Sequence, residues 1–169
     1  FEFSDGRMIL RGTNGSGKSV TMQSFIPLLL DGKKTPERLD PFGNKSRKIE
    51  DYVLGYGDNI KEENTSYLYM EFFKKETQNY LTIGMGLSAK KGQPVRFWGF
   101  MIKDGRRVGK DFFLYKKLDN KIPLSKQELK NTIGEGGQIV ETQKEYIITN
   151  TKEITSFVGF CKTISFSSL

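Results

Sequence analysis

Gly12-Thr13-Asn14-Gly15-Ser16-Gly17-Lys18-Ser19 follows a short apolar run, Met8-Ile9-Leu10, and precedes a stretch in which Val20, Phe25 and Leu28 to Leu30 supply apolar positions. A glycine-rich turn fixed between a strand and a helix constrains the fold more than any other segment, because it predicts a strand–loop–helix unit and hence an α/β chain. Glycines at both ends let the backbone enter positive-φ conformations, so that successive N–H groups point inward at an anion. Lys18 then supplies a cation to the β- and γ-phosphates of a nucleotide, and the Ser19 hydroxyl can ligate Mg²⁺. The helix expected to begin near Lys18 adds the positive end of its dipole to the same anion. A plain turn would need neither the lysine nor the hydroxyl. The expected nucleotide contacts are therefore Gly12, Thr13, Asn14, Gly15, Ser16, Gly17, Lys18, Ser19 and Val20, with Ser19 as the metal ligand and no catalytic residue assigned.

The rest of the chain narrows the choice of chemistry. With 169 residues, 36% of them apolar, the chain can bury a sizeable core as one domain. It has no histidine, so imidazole metal sites and histidine-based triads are excluded, and the single cysteine, Cys161, excludes an internal disulfide framework and suits a cytoplasmic location. No apolar run reaches the length of a membrane span, and Phe1 at the start leaves a removed leader open. The net charge of +7 favours acidic partners such as nucleic acid, yet the basic pairs Lys74-Lys75, Lys90-Lys91, Arg106-Arg107 and Lys116-Lys117 are scattered at expected strand ends, as solvated turns require.

Along the chain, Phe1 to Arg11 reads as a hairpin whose second strand delivers the loop. Pro27 interrupts the following helix, Asp31-Gly32 closes it, and Thr35-Pro36-Glu37-Arg38 begins a further helical turn. From Asp40 to Asn64 a long surface connection is expected, with a brief helix around Ser46 to Leu54. The runs Tyr67–Phe72, Tyr80–Ile83, Val95–Ile102 and Phe112–Tyr115, separated by lysine, glycine and asparagine, predict an antiparallel β-meander. Their aromatic density, with Leu, Ile and Met among them, suits core packing better than a base-stacking platform. Ser125-Lys126-Gln127-Glu128 is a capping box for a short helix with Leu129 and Ile133 on one face and Gly134 as its stop. Gln138–Glu141 follows as a candidate strand, and the final residues show no consistent period.

Hydrolysis asks for more than binding: a carboxylate at the metal and a group to orient the attacking water. Tyr67-Leu68-Tyr69-Met70-Glu71 resembles the apolar run that ends in such an acid, but Phe72-Phe73 continue the strand and place Glu71 on the polar face of an ordinary sheet. Gly134-Glu135-Gly136-Gly137-Gln138 invites comparison with the loop that ABC-type ATPases press on a partner's nucleotide. A serine hydroxyl is usual there, and Glu135 would bring negative charge to a polyanion, so a helix-terminating turn is expected instead. A guanine reader of the Asn-Lys-x-Asp kind is absent from the sequence, which favours ATP. The alternatives are a self-contained small NTPase or kinase with Glu71 as its acid, and a DNA-binding module with a vestigial loop.

The segment from Phe1 to about Lys144 resembles the amino-terminal half of an SMC-like ATPase head, more closely the JetC-type condensin-like subunits of Wadjet plasmid-defence systems, distant relatives of MukB. The resemblance rests on Phe3-Ser4-Asp5-Gly6-Arg7, on Gly12 to Phe25, and on Pro36-Glu37-Arg38-Leu39-Asp40-Pro41-Phe42-Gly43. It continues in Tyr67 to Phe72, Phe97-Trp98-Gly99-Phe100 and Ile133 to Gly137. It implies an ABC/SMC-type P-loop NTPase lobe over residues 1–144, carrying the phosphate-loop unit and the meander. A carboxyl-terminal lobe with the signature loop and catalytic glutamate, a second head in a dimer, kleisin-type subunits and DNA are the implied partners, and no membrane. ATP hydrolysis with Mg²⁺ would drive DNA translocation or loop extrusion. Residues 145–169 depart from the pattern, with no heptads leading to a coiled coil, as a truncated, frame-shifted or trimmed chain would show.

Overall fold

Long β-strands alternating bulky side chains on both faces form the centre of the molecule, seen in a computed structural model that describes residues 11–14, 31–33, 35, 48–55, 57–116, 120–158 and 161–166. The architecture is α/β with an antiparallel meander. β1 (Glu63–Lys74), β2 (Asn79–Lys90) and β3 (Arg96–Ile102) run in sequence, and two later strands flank them, β6 (Gly137–Val140) beside β3 and β7 (Cys161–Phe166) beside β1. The expected hairpin from Phe1, the loop from Gly15 to Val20, the helix after it and the turn at Pro36 lie outside the described residues.

The expected brief helix before the meander is α1 (Ile49–Leu54), where the Asp51 carboxylate accepts the Lys48 N–H at 2.8 Å and Gly55 ends the helix at φ 93°. Val53 and Leu54 pack on Leu87 and Ala89 near the end of β2.

Both faces of the sheet are buried. On one face Tyr67, Trp98 and Phe100 meet edge to face, with centroids 5.9 Å and 6.0 Å from Tyr67. Gly84 and Gly86 on β2 make room for these rings, because a Cβ at either position would penetrate Phe100 or Trp98. On the opposite face Met70, Phe72, Leu81, Ile83, Met85 and Met101 form a second cluster.

The first face is roofed by irregular chain and α2 (Lys126–Ile133). The expected capping box is present: Glu128 N–H donates to Ser125 Oγ at 3.3 Å, and Ser125 N–H donates to the Glu128 carboxylate at 2.8 Å. Leu129 and Ile133 are buried, and Gly134 stops the helix at φ 54°. Arg106 closes the exposed helix end by donating to the carbonyls of Thr132 at 3.2 Å and Ile133 at 2.5 Å.

One expectation is corrected. Phe112–Tyr115 is not a fourth strand of the meander. Phe112 and Leu114 are buried against the aromatic face; Phe112 makes an isolated bridge with Val108, and Tyr115–Lys116 (β4) pairs with Ile122–Pro123 (β5) in a separate ribbon. The aperiodic final stretch contains α3 (Gln143–Val158), preceded by Thr142, whose carbonyl accepts the Tyr146 N–H at 3.0 Å. Tyr146, in the first turn of this helix, is buried in the second apolar cluster.

Candidate functional site

Of the nucleotide contacts expected from sequence, Gly12, Thr13 and Asn14 are described, and all three are exposed. Gly15, Ser16, Gly17, Lys18, Ser19 and Val20 lie outside the described residues. At Asp31–Lys33 the Asp31 carboxylate accepts the Lys33 N–H at 2.9 Å and Gly32 adopts φ 62°. That left-handed conformation suits the expected helix stop. Gly32 is buried under the first turn of α3, with its carbonyl accepting a hydrogen bond from the Gln143 amide and its α-carbon against the Tyr146 ring.

Glu71, the one candidate acid, occupies a different environment from the polar sheet face expected for it. Its register position beside Thr82 puts it on the aromatic face, where the loop between β3 and β4 covers it to 3% exposure. Both carboxylate oxygens are engaged: Arg107 donates to Oε2 from Nη2 at 2.9 Å and from Nε at 3.3 Å, and the Val108 N–H donates to Oε1 at 3.1 Å. The guanidinium also lies 4.3 Å from the centre of the Tyr80 ring, while the Arg107 N–H donates to Asp111 at 2.7 Å. A carboxylate held by a cation and a backbone N–H fastens a loop; it is not presented to a metal. Among the described residues no cluster of three or more acidic or thiol side chains could hold a metal ion.

Gly134 to Gly136 form a single 3-10 turn between α2 and β6, and Gly137 and Gln138 begin the strand. Gly134 ends α2, Gly136 lies against Asp104 and Arg106, and Gly137 lies against Ile133, so the glycines permit a tight passage from helix to β6. Glu135 is exposed at its apex.

A cleft of about 360 Å³ opens between the strand ends and the first turn of α2, lined by Thr65, Ser88, Arg96, Trp98, Ser125 and Lys126 among others. Its cations already have carboxylate partners, Arg96 with Glu63 at 3.5 Å and Lys126 with Glu141 at 2.8 Å. Lys126 holds the Glu141 carboxyl below its ordinary pKa. The cleft therefore offers a phosphate little uncompensated charge.

Arg107, Gln143 and Tyr146 were not singled out by sequence. Arg107 reads as half of a solvated basic pair, since its carboxylate partner lies 36 residues away. Tyr146 stands in a polar stretch, and its seat, Gly99, reads only as an interruption of an aromatic strand. The described helices include none long and apolar enough to cross a membrane. No protein-family model, curated protein or solved structure matches the chain.

Proposed function

We propose that the chain is an ATP-binding lobe of P-loop NTPase type, part of an SMC-like head. The observation that carries the reading is the unbroken Gly12–Ser19 series between an apolar run and an amphipathic one. Exposure of Gly12, Thr13 and Asn14 and the left-handed conformation of Gly32 support it. Backbone N–H groups from Asn14 to Ser19 would surround the phosphates, with the Lys18 ammonium neutralising the β- and γ-phosphates. Bound Mg²⁺, held by the Ser19 hydroxyl, would offset further charge on the same oxygens.

The engagement of Glu71 by Arg107 and Val108 weighs against a self-contained NTPase or kinase built on that acid. It supports a division of labour in which this lobe binds ATP while a carboxyl-terminal lobe and a second head supply the acid and water-orienting groups. On the resemblance to JetC-type subunits, the assembled protein would translocate DNA or extrude loops with kleisin-type partners in plasmid defence.

Calorimetry of ATP·Mg²⁺ binding to the wild type and to Lys18→Ala tests the reading. Binding by the wild type and its loss in the variant are expected. Equal affinity of the two proteins would overturn the assignment.

A further inference from the structure

Among the described residues β6 ends the sheet, with β3 on one side and no strand on the other. The register shows which of its backbone groups face outward. The Lys103 N–H donates to the Gly136 carbonyl at 3.4 Å, and the ladder continues with Met101 opposite Gln138 and Gly99 opposite Val140. Bonded positions alternate along an antiparallel pair, so Gln138 and Val140 bond to β3 while Gly137 and Ile139 turn their backbone groups away from it. The Gly137 N–H donates to the Gly134 carbonyl. The Gly137 carbonyl and both backbone groups of Ile139 are left for a further strand. β6 is short, but it carries none of the other devices that blunt an edge: no proline, no charge and no bulge. A groove of about 200 Å³ lies between this edge and α2, lined by the apolar Ile133 and Ile139 and by the charged Lys126, Lys130 and Glu141. Lys126 bonds Glu141 at 2.8 Å, so two cations share one carboxylate and the groove keeps a positive excess.

We propose that this edge and groove receive an extended acidic segment of a partner protein, which joins the sheet as a strand antiparallel to β6. The partner residue opposite Ile139 exchanges both backbone hydrogen bonds with it, and the Gly137 carbonyl accepts another, so main-chain bonding supplies affinity. Ile139 packs on the α2 side of the sheet. The partner residue opposite it, and those two positions away, therefore project to the same side, where acidic side chains meet Lys130 and Lys126. A second copy of this chain is the poorer occupant. Pairing two β6 strands would bring Lys126 and Lys130 of both copies to one edge, in a chain that already carries a net charge of +7.

The test uses the full chain, amide hydrogen exchange read by NMR, and two capped octapeptides as probes, one alternating Glu with Val and the other Lys with Val. In the free protein the Ile139 amide exchanges rapidly, while those of Gln138 and Val140 are protected. The Glu–Val peptide binds saturably and slows the Ile139 amide, and the Lys–Val peptide does neither. Lys130→Glu weakens the binding by about threefold to tenfold and leaves the melting temperature near that of the wild type. Ile139→Pro removes the outward donor, a change that an edge strand tolerates, and abolishes the binding. Should that variant melt early, a Glu–Val peptide N-methylated at every Glu replaces it and fails to bind. The proposal is overturned if the Glu–Val peptide does not bind, if the Lys–Val peptide binds equally well, or if Lys130→Glu changes nothing. Protection of the Ile139 amide in the free protein at every concentration would also overturn it, because the edge would already be covered. Protection that rises with protein concentration, with a dimer in sedimentation, would give the edge to a second copy and overturn the acidic partner.

Discussion

The two faces of the central sheet are covered by different means. On the α2 face much of the cover is irregular chain, whose backbone groups are satisfied only in part by tight turns and the short β4–β5 ribbon, and fixed polar contacts supplement them. Glu71 accepts the Val108 N–H, the Tyr67 hydroxyl donates to the Leu124 carbonyl at 2.7 Å, and Arg106 donates to the end of α2. Burial pushes the Tyr67 hydroxyl above its ordinary pKa, so it remains protonated and able to donate. On the α3 face the cover among the described residues is helical, α3 together with Ile49 and Tyr52 of α1; a helix satisfies its own backbone, and seating α3 needs chiefly shape, the Tyr146 ring over Gly99. Irregular cover is held by hydrogen bonds because buried backbone polar groups must be paired. Helical cover is held by fit.

The most direct way to break this contrast is Glu71→Ala. It leaves the Arg107 guanidinium and the Val108 N–H without their buried acceptor, and removing one member of a buried pair costs about 3–5 kcal/mol. Urea denaturation should show a loss of that order, with early protease nicking between Arg107 and Phe112. A loss under about 1 kcal/mol, the range of exposed pairs, would mean that the carboxylate does not anchor the loop.

Gly99→Ala attacks the other face. The added methyl displaces Tyr146 from its notch, at about 1–3 kcal/mol for overpacking. Exchange protection should fall in α3 while the Glu71-anchored loop keeps its own. Equal loss on both faces would erase the distinction between them.

The two helices differ in how far sequence reveals them, for physical reasons. α2 carries local signals at both ends, Ser125 with Glu128 at its start and Gly134 at its stop, and its two buried residues lie one turn apart. α3 has a comparable start, since Thr142 stands three residues before Glu145 and its hydroxyl accepts the Glu145 N–H at 3.2 Å. Its inward stripe, however, includes Asn150, a polar residue buried to 2%, which conceals the helical period that Tyr146 and Ile154 would otherwise reveal. The meander strands were legible from their aromatic runs, but Phe112 and Leu114 are equally apolar because they roof the sheet. Apolarity reports burial and is silent on hydrogen-bonded pairing. For the candidate site the loop motif was legible residue by residue. The contact of Gly32 with Gln143 and Tyr146 was not, because these residues meet only after more than a hundred residues of intervening chain.

A smaller effect sharpens the comparison at the helix starts. Ser125→Ala removes the acceptor for the Glu128 N–H and should cost about 1 kcal/mol in thermal or urea unfolding. Thr142→Ala should cost a similar amount at α3 if its cap is equivalent. A much smaller loss there would mean that Tyr146 packing alone fixes where α3 begins.

The smallest expected effect is the acid response of the α2 cap. The Lys116 ammonium, 2.6 Å from the Glu128 carboxylate, together with the N–H and hydroxyl of Ser125, lowers the Glu128 pKa from 4.5 to about 2. A carboxyl group whose folded pKa is depressed stabilises the fold above its unfolded value and loses that contribution as pH falls through the folded one. The window therefore runs from about 4.5 down to about 2. Because the group is exposed, solvent screens the interaction and the effect on global stability is slight. Carbon-detected NMR titration of the Glu128 carboxyl should give a midpoint near 2, and the melting-temperature gap between wild type and Glu128→Gln should close within that window. A midpoint near 4.5 would mean that Lys116 does not hold the carboxylate in solution, leaving Ser125 as the remaining support for the first turn of α2.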